Sequence, residues 1–162
     1  MNDNKLDFQI LARGPVTKYF SLDLLEQHLQ WFGQQEYKIY RFDAKTWYST
    51  DNFYSDVHAG FEFPDYFGRN WDALHDCLFD MVSENENVLV VVRNFDDWYQ
   101  ENANSAKRFL DYMAIQTYQF LLAGKRWITL IQSNRPSFEV ADVGAQSVYW
   151  NEKEWMNRDR GL

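Results

Sequence analysis

The stretch NWDALHDCLFDMVSENENVLVVV, residues 70–92, decides the fold class. Asn70 is a preferred helix cap, and Trp71, Leu74, Leu78, Met81 and Val82 recur at helical spacing, so one side of a helix is apolar. A short polar stretch ends that pattern. Val88-Leu89-Val90-Val91-Val92 then runs without a polar residue, as a strand covered on both faces does in a parallel sheet. A helix leading straight into such a strand predicts an α/β protein.

The flanks repeat the alternation. Upstream, Tyr37–Phe42 is β-rich and alternating, and residues 51–62 carry a weak helical pattern that Pro64 closes with a turn through Gly68. Before them, Ser21 caps Leu22, Leu25, Leu29 and Phe32 at helical spacing, with Gly33 as the expected stop. Residues 6–12, ahead of a Gly14-Pro15 break, read as a short strand. Downstream, residues 105–122 place Phe109, Met113 and Phe120 on one helix face with Gly124 as the stop, and Trp127–Ile131 is a last buried strand. The expectation is a small parallel sheet of three strands, with residues 6–12 offering a fourth, flanked by helices. The tail after Pro136 is polar and mixed and predicts no element. At 162 residues the chain fits a single domain, 1–162, and folding should bury roughly 70% of its unfolded surface.

Composition narrows the function. No apolar run approaches a membrane span, and the amino terminus has no basic-then-apolar leader, so no membrane partner is expected. A lone cysteine, Cys77, makes no internal disulfide, which points to a reducing cytoplasm. Three histidines and one cysteine are too few for a dedicated zinc cage, and no Gly-rich phosphate loop is present, so no cofactor is expected. The net charge of -8 argues against direct nucleic-acid binding and favours a basic partner. The charge is concentrated: residues 51–101 hold twelve acids against Arg69 and Arg93. Nothing in the sequence specifies an oligomer, and a monomer is the default.

The helix at Asn70 carries part of that charge on the side away from its apolar stripe. Asp72, His75, Asp76, Phe79 and Asp80 project there, with Asp72, Asp76 and Asp80 at successive i,i+4 steps. Like charges at that spacing cost an isolated helix about 0.2–0.5 kcal/mol per pair. The helix dipole favours Asp72, but its help fades before Asp80. Local stability does not account for the row, whereas an aromatic among carboxylates suits a protein-binding patch.

The segment Phe63-Pro64-Asp65-Tyr66-Phe67-Gly68-Arg69-Asn70-Trp71-Asp72-Ala73-Leu74-His75-Asp76-Cys77-Leu78 closely resembles the signature of barstar-like proteins, intracellular inhibitors of barnase-type ribonucleases. The resemblance spans roughly residues 37–132, leaving 1–36 and 133–162 as amino- and carboxy-terminal extensions. It implies the barstar-like three-layer fold and a loop and helix start that plug a microbial ribonuclease active site, carboxylates standing where RNA phosphates would bind. On that resemblance Asp76 meets the enzyme's basic phosphate site and Asp72 supports it. Tyr66 enters the cleft, and Gly68 and Asn70 shape the exit into the helix. His75 stands where the family usually has an aromatic, and Phe79 replaces a smaller polar residue. The alternative is an immunity protein or nucleic-acid mimic that binds a different basic toxin, such as a toxin nuclease, or another nucleic-acid-binding protein.

Two rival chemistries have weaker support. His75 and Cys77 are two residues apart and point to different sides of a helix, so they form no nucleophile–base pair there. Cys77 is expected in the core. Asp72, His75 and Asp76 would need ligands from other helices to hold a metal, and the sequence offers no matching motif.

Overall fold

The computed structural model describes residues 5–160. Its five strands are β1 (Val16–Tyr19), β2 (Lys38–Asp43), β3 (Val88–Arg93), β4 (Trp127–Gln132) and β5 (Tyr149–Trp150). All neighbours are parallel, in the order β2-β3-β4-β1-β5. Among the described residues the six α-helices are α1 (Leu6–Leu11), α2 (Leu22–Gln34), α3 (Thr50–Gly60), α4 (Trp71–Glu84), α5 (Phe95–Glu101) and α6 (Ala103–Leu122). Among the described residues, no helix is long and apolar enough to cross a membrane.

Strand periodicity explains the layering. In β3, Val88, Val90 and Val92 point into the core shared with α3–α6, while Leu89 and Val91 point to the opposite core under α1 and α2. In β4, Trp127 and Ile131 take the first side, and Ile128 and Leu130 the second. The chain passes from β1 over β4 and β3 to the edge strand β2, then winds back through β3 and β4. Right-handed crossovers in opposite directions along a sheet put their helices on opposite faces, which gives three layers.

The parallel α/β class is as expected, but the sheet has five strands where three or four are predicted. Residues 6–12 are a correction: they form helix α1, and the amino-terminal strand is β1 at Val16–Tyr19. The spacing that counts is Leu6 to Ile10, one helical turn, both packed toward the α2 side of the sheet. Phe8, which suggests strand alternation, is half exposed under the Arg126 guanidinium, 4.3 Å from its ring centre. β5 comes from the tail and pairs with β1 at Thr17 and Lys18.

Gly33 is a second correction, since it lies inside α2 and the chain turns at Glu36, whose φ is 64°. Gly124 does end α6. Its φ of +74° lets its amide reach the Leu121 carbonyl at 3.0 Å, while Lys125 N–H reaches Phe120 at 2.8 Å, as in a Schellman motif. Helix α5, absent from the sequence reading, is seven residues long and shares Asn102 with the start of α6.

Candidate functional site: an acidic helix and its entry loop

The two helices of the β2–β3 crossover, α3 and α4, are joined by a loop over residues 61–70. Its aromatic residues divide between core and solvent. Phe63 and Phe67 are buried, with ring centroids 5.2 Å apart, and Phe61 stacks on Phe63 at 5.3 Å. These anchors, with a turn closed by Phe67 N–H to the Pro64 carbonyl at 3.0 Å, leave Tyr66 outside, 78% exposed. Arg69 takes a left-handed φ of 52° and donates to Ser55 on α3 at 3.2 Å. Space and not the dihedral favours glycine at position 68: a Cβ there would lie 3.3 Å from the Ala73 Cβ, a tight contact.

Asn70 joins loop to helix. Its Oδ1 accepts the Ala73 N–H at 2.8 Å and its Nδ2 donates to the Gly68 carbonyl at 3.2 Å, so one side chain caps the helix and fixes the loop exit. The apolar stripe is buried as expected at Leu74, Leu78 and Met81, with Trp71 and Val82 partly buried, and Cys77 joins it. Lys125 closes the other end of the helix, donating to the Val82 and Asn85 carbonyls at 2.9 and 2.8 Å. The helix that carries the acids is therefore held at both ends.

Its outward side holds Asp72, His75, Asp76, Phe79 and Asp80, all exposed. The Asp76 side chain is 86% exposed, and its nearest ionic partner is the neighbouring His75, Nδ1 to Oδ1 at 3.8 Å. Among the described residues, no lysine or arginine lies within 4.0 Å of Asp72, Asp76 or Asp80. The three carboxylates form a row stepping about 6 Å along the helix axis per four residues. Phe79, 54% exposed, stands among them. Gly68 and Asn70 lie at the amino-terminal end of the same helix, and Tyr66 lines a cleft together with Asp80.

The twelve acids of residues 51–101 do not all serve that surface. Asp56 accepts from the Trp47 indole at 2.7 Å. Asp96 and Asp97 bind Arg135 at 2.7 and 3.4 Å, and Glu86 lies 3.9 Å from Lys125. The sequence reading also omits Arg108 and Tyr112 of α6. The Arg108 guanidinium sits over the Trp71 ring, 5.2 Å from its centre, and Tyr112 meets Trp71 and His75 edge-on at 5.5 and 5.7 Å. Their i,i+4 spacing is visible in the sequence, but nothing local there assigns them to α4.

Beside the row, a cleft of about 440 Å³ opens between Tyr66 and α4, with Glu62, Cys77, Asp80 and Glu84 in its walls. Burial, followed by the nearby Asp80, Asp76 and Glu84 carboxylates, pushes the Cys77 thiol up. That keeps it protonated, the poorly nucleophilic form. Among the described residues, no group of three or more His, Cys, Asp or Glu is placed to hold a metal ion.

The family profile described as barstar (barnase inhibitor) matches residues 37–135. That match covers more than half of the chain, and the protein belongs to the barstar family. It includes the loop and all of α4, whereas β1 and β5 fall outside it. No curated protein matches the chain.

Proposed function

We propose that this protein is a stoichiometric inhibitor that inserts Tyr66 and the acidic side of α4 into the active site of a basic microbial ribonuclease. One observation carries the reading: among the described residues, Asp72, Asp76 and Asp80 have no lysine or arginine partner, while the helix beneath them is fixed. Such carboxylates can meet a cationic cleft without first giving up a contact to a lysine or arginine of their own chain. In this reading Asp76 meets the phosphate-binding bases, Asp72 supports it, Asp80 extends the row, and His75 and Phe79 supply contact area. Gly68 and Asn70 set the loop. The protein acts in the cytoplasm without a cofactor and is not itself an enzyme.

Titrating a microbial barnase-type ribonuclease with the purified chain tests this. Activity should fall linearly to zero at one equivalent, and turnover of RNA by the chain alone would overturn the reading. Phe79, exposed where the family signature carries a smaller polar residue, favours a second reading: immunity against a different basic toxin nuclease. Inhibition of such a toxin with barnase-type activity untouched would select it.

A further inference from the structure

A second cavity of about 340 Å³ lies on the other side of the sheet, between α1, α2 and the segment after β5. Every residue lining it lies outside residues 37–135, so the two extensions build it together. Its size falls within the range of small-molecule sites, about 300–1,000 Å³.

Among the described residues, the cavity holds a positioned cation that makes no ion pair. Arg13 lines it, its guanidinium placed against the rings of Tyr149 and Trp155 at 5.1 and 4.8 Å. Its Nε is buried and makes no hydrogen bond, and no carboxylate lies within 4.0 Å of it among the described residues. Stacking against the two rings holds the guanidinium in one orientation, and its terminal nitrogens, which make no hydrogen bond among the described residues, are left to meet a bound anion. Lys153 adds a second positive charge to the wall, and Glu152 one negative charge.

The remaining lining suits a ring with polar edges. Asn151 Nδ2 donates to the Tyr19 hydroxyl at 3.0 Å, and that hydroxyl is hydrogen-bonded to His28 Nδ1 at 2.6 Å. These bonds fix the buried His28 ring in the wall. Gln9 and Gln27 line the cavity with side-chain amides that make no hydrogen bond among the described residues, and Trp31 contributes an indole. Aromatic side chains stack on nucleobases, amides read their edges, and a guanidinium fork matches a phosphate.

We propose that this cavity is a binding site for a nucleoside monophosphate, with the phosphate on Arg13 and Lys153 and the base against Trp31. Calorimetric titration of the full chain with adenosine 5′-monophosphate, inorganic phosphate and adenosine tests it. The nucleotide should bind saturably at one per chain, with phosphate and adenosine each at least tenfold weaker. Arg13→Gln should weaken nucleotide binding at least tenfold. Lys153→Gln, at an exposed position that disturbs no packing, should weaken it severalfold. Absence of saturable nucleotide binding, equal binding of phosphate alone, or unchanged affinity in both folded variants would overturn the proposal. Ribonuclease inhibition is measured separately, so its failure would leave this result unaffected.

Discussion

Gln116, buried within α6, donates its side-chain amide to the Leu78 carbonyl of α4 at 2.7 Å. The bond joins the longest helix to the middle of the helix that carries the acidic row. With the Asn70 cap at one end and Lys125 at the other, α4 is held at three points. Replacing Gln116 with Met keeps a similar volume and removes the donor. The expected loss is about 0.5–1.5 kcal/mol in a urea titration, the net worth of a hydrogen bond between neutral groups. A loss near zero would mean that packing alone seats α4.

Asp76→Ala separates binding from folding. The side chain is 86% exposed and its nearest ionic partner is His75 at 3.8 Å, so truncation removes little that the folded chain uses. The melting temperature should hold within about 2 °C, in line with a surface change of at most about 0.5 kcal/mol. Affinity for the ribonuclease should fall by about 2–5 kcal/mol, chiefly through faster dissociation, because the enzyme's buried bases lose their counter-charge. An inhibition constant unchanged by the substitution would remove Asp76 from the interface.

Most of this site is legible in the sequence because its determinants are local. Asn70 caps the helix four residues before the buried Leu74, and the 3.6-residue period alone separates Asp72, Asp76 and Asp80 from Leu74, Leu78 and Met81. The parts that escaped depend on distant contacts. Arg108 and Tyr112 reach α4 from another helix, and Lys125 closes α4 from beyond the end of α6. Total charge misleads in a similar way: Asp96 counts toward the acidic middle third, yet it is buried against Arg135. At the amino terminus, six residues of α1 are too few to separate period 2 from period 3.6, and Phe8 satisfies the wrong one.

Salt should act on association more than on dissociation. The acidic row faces solvent without internal cations, so its field extends outward and draws in a basic partner. Raising ionic strength from about 0.01 M to 1 M shortens the Debye length from roughly 30 Å to 3 Å. Over that range stopped-flow association rates should drop at least about tenfold, with a smaller change in dissociation. A rate indifferent to salt would shift recognition onto the exposed rings of Tyr66 and Phe79.

Alkaline pH should unfold the protein through its buried phenols. Burial is the leading cause that raises Tyr19, Tyr37, Tyr40 and Tyr54 above the ordinary phenol value of 10.0. Above that value the unfolded chain releases protons that the folded chain retains. Their contribution is thus complete below pH 10 and is lost as pH rises toward the folded values, each phenol supplying up to about 1.4 kcal/mol per pH unit. Lys18 works in the opposite sense. Burial lowers its ammonium from 10.5, so the unfolded state binds more protons beneath that value and stability rises slightly with pH up to it. Four phenols outweigh one ammonium, and the thermal midpoint should fall steeply above about pH 10.5. Tyr54 makes no side-chain hydrogen bond among the described residues, so Tyr54→Phe should make that slope shallower, by at most one proton's share, at little cost in packing. A midpoint flat to pH 11 would show that these hydroxyls ionise within the native fold.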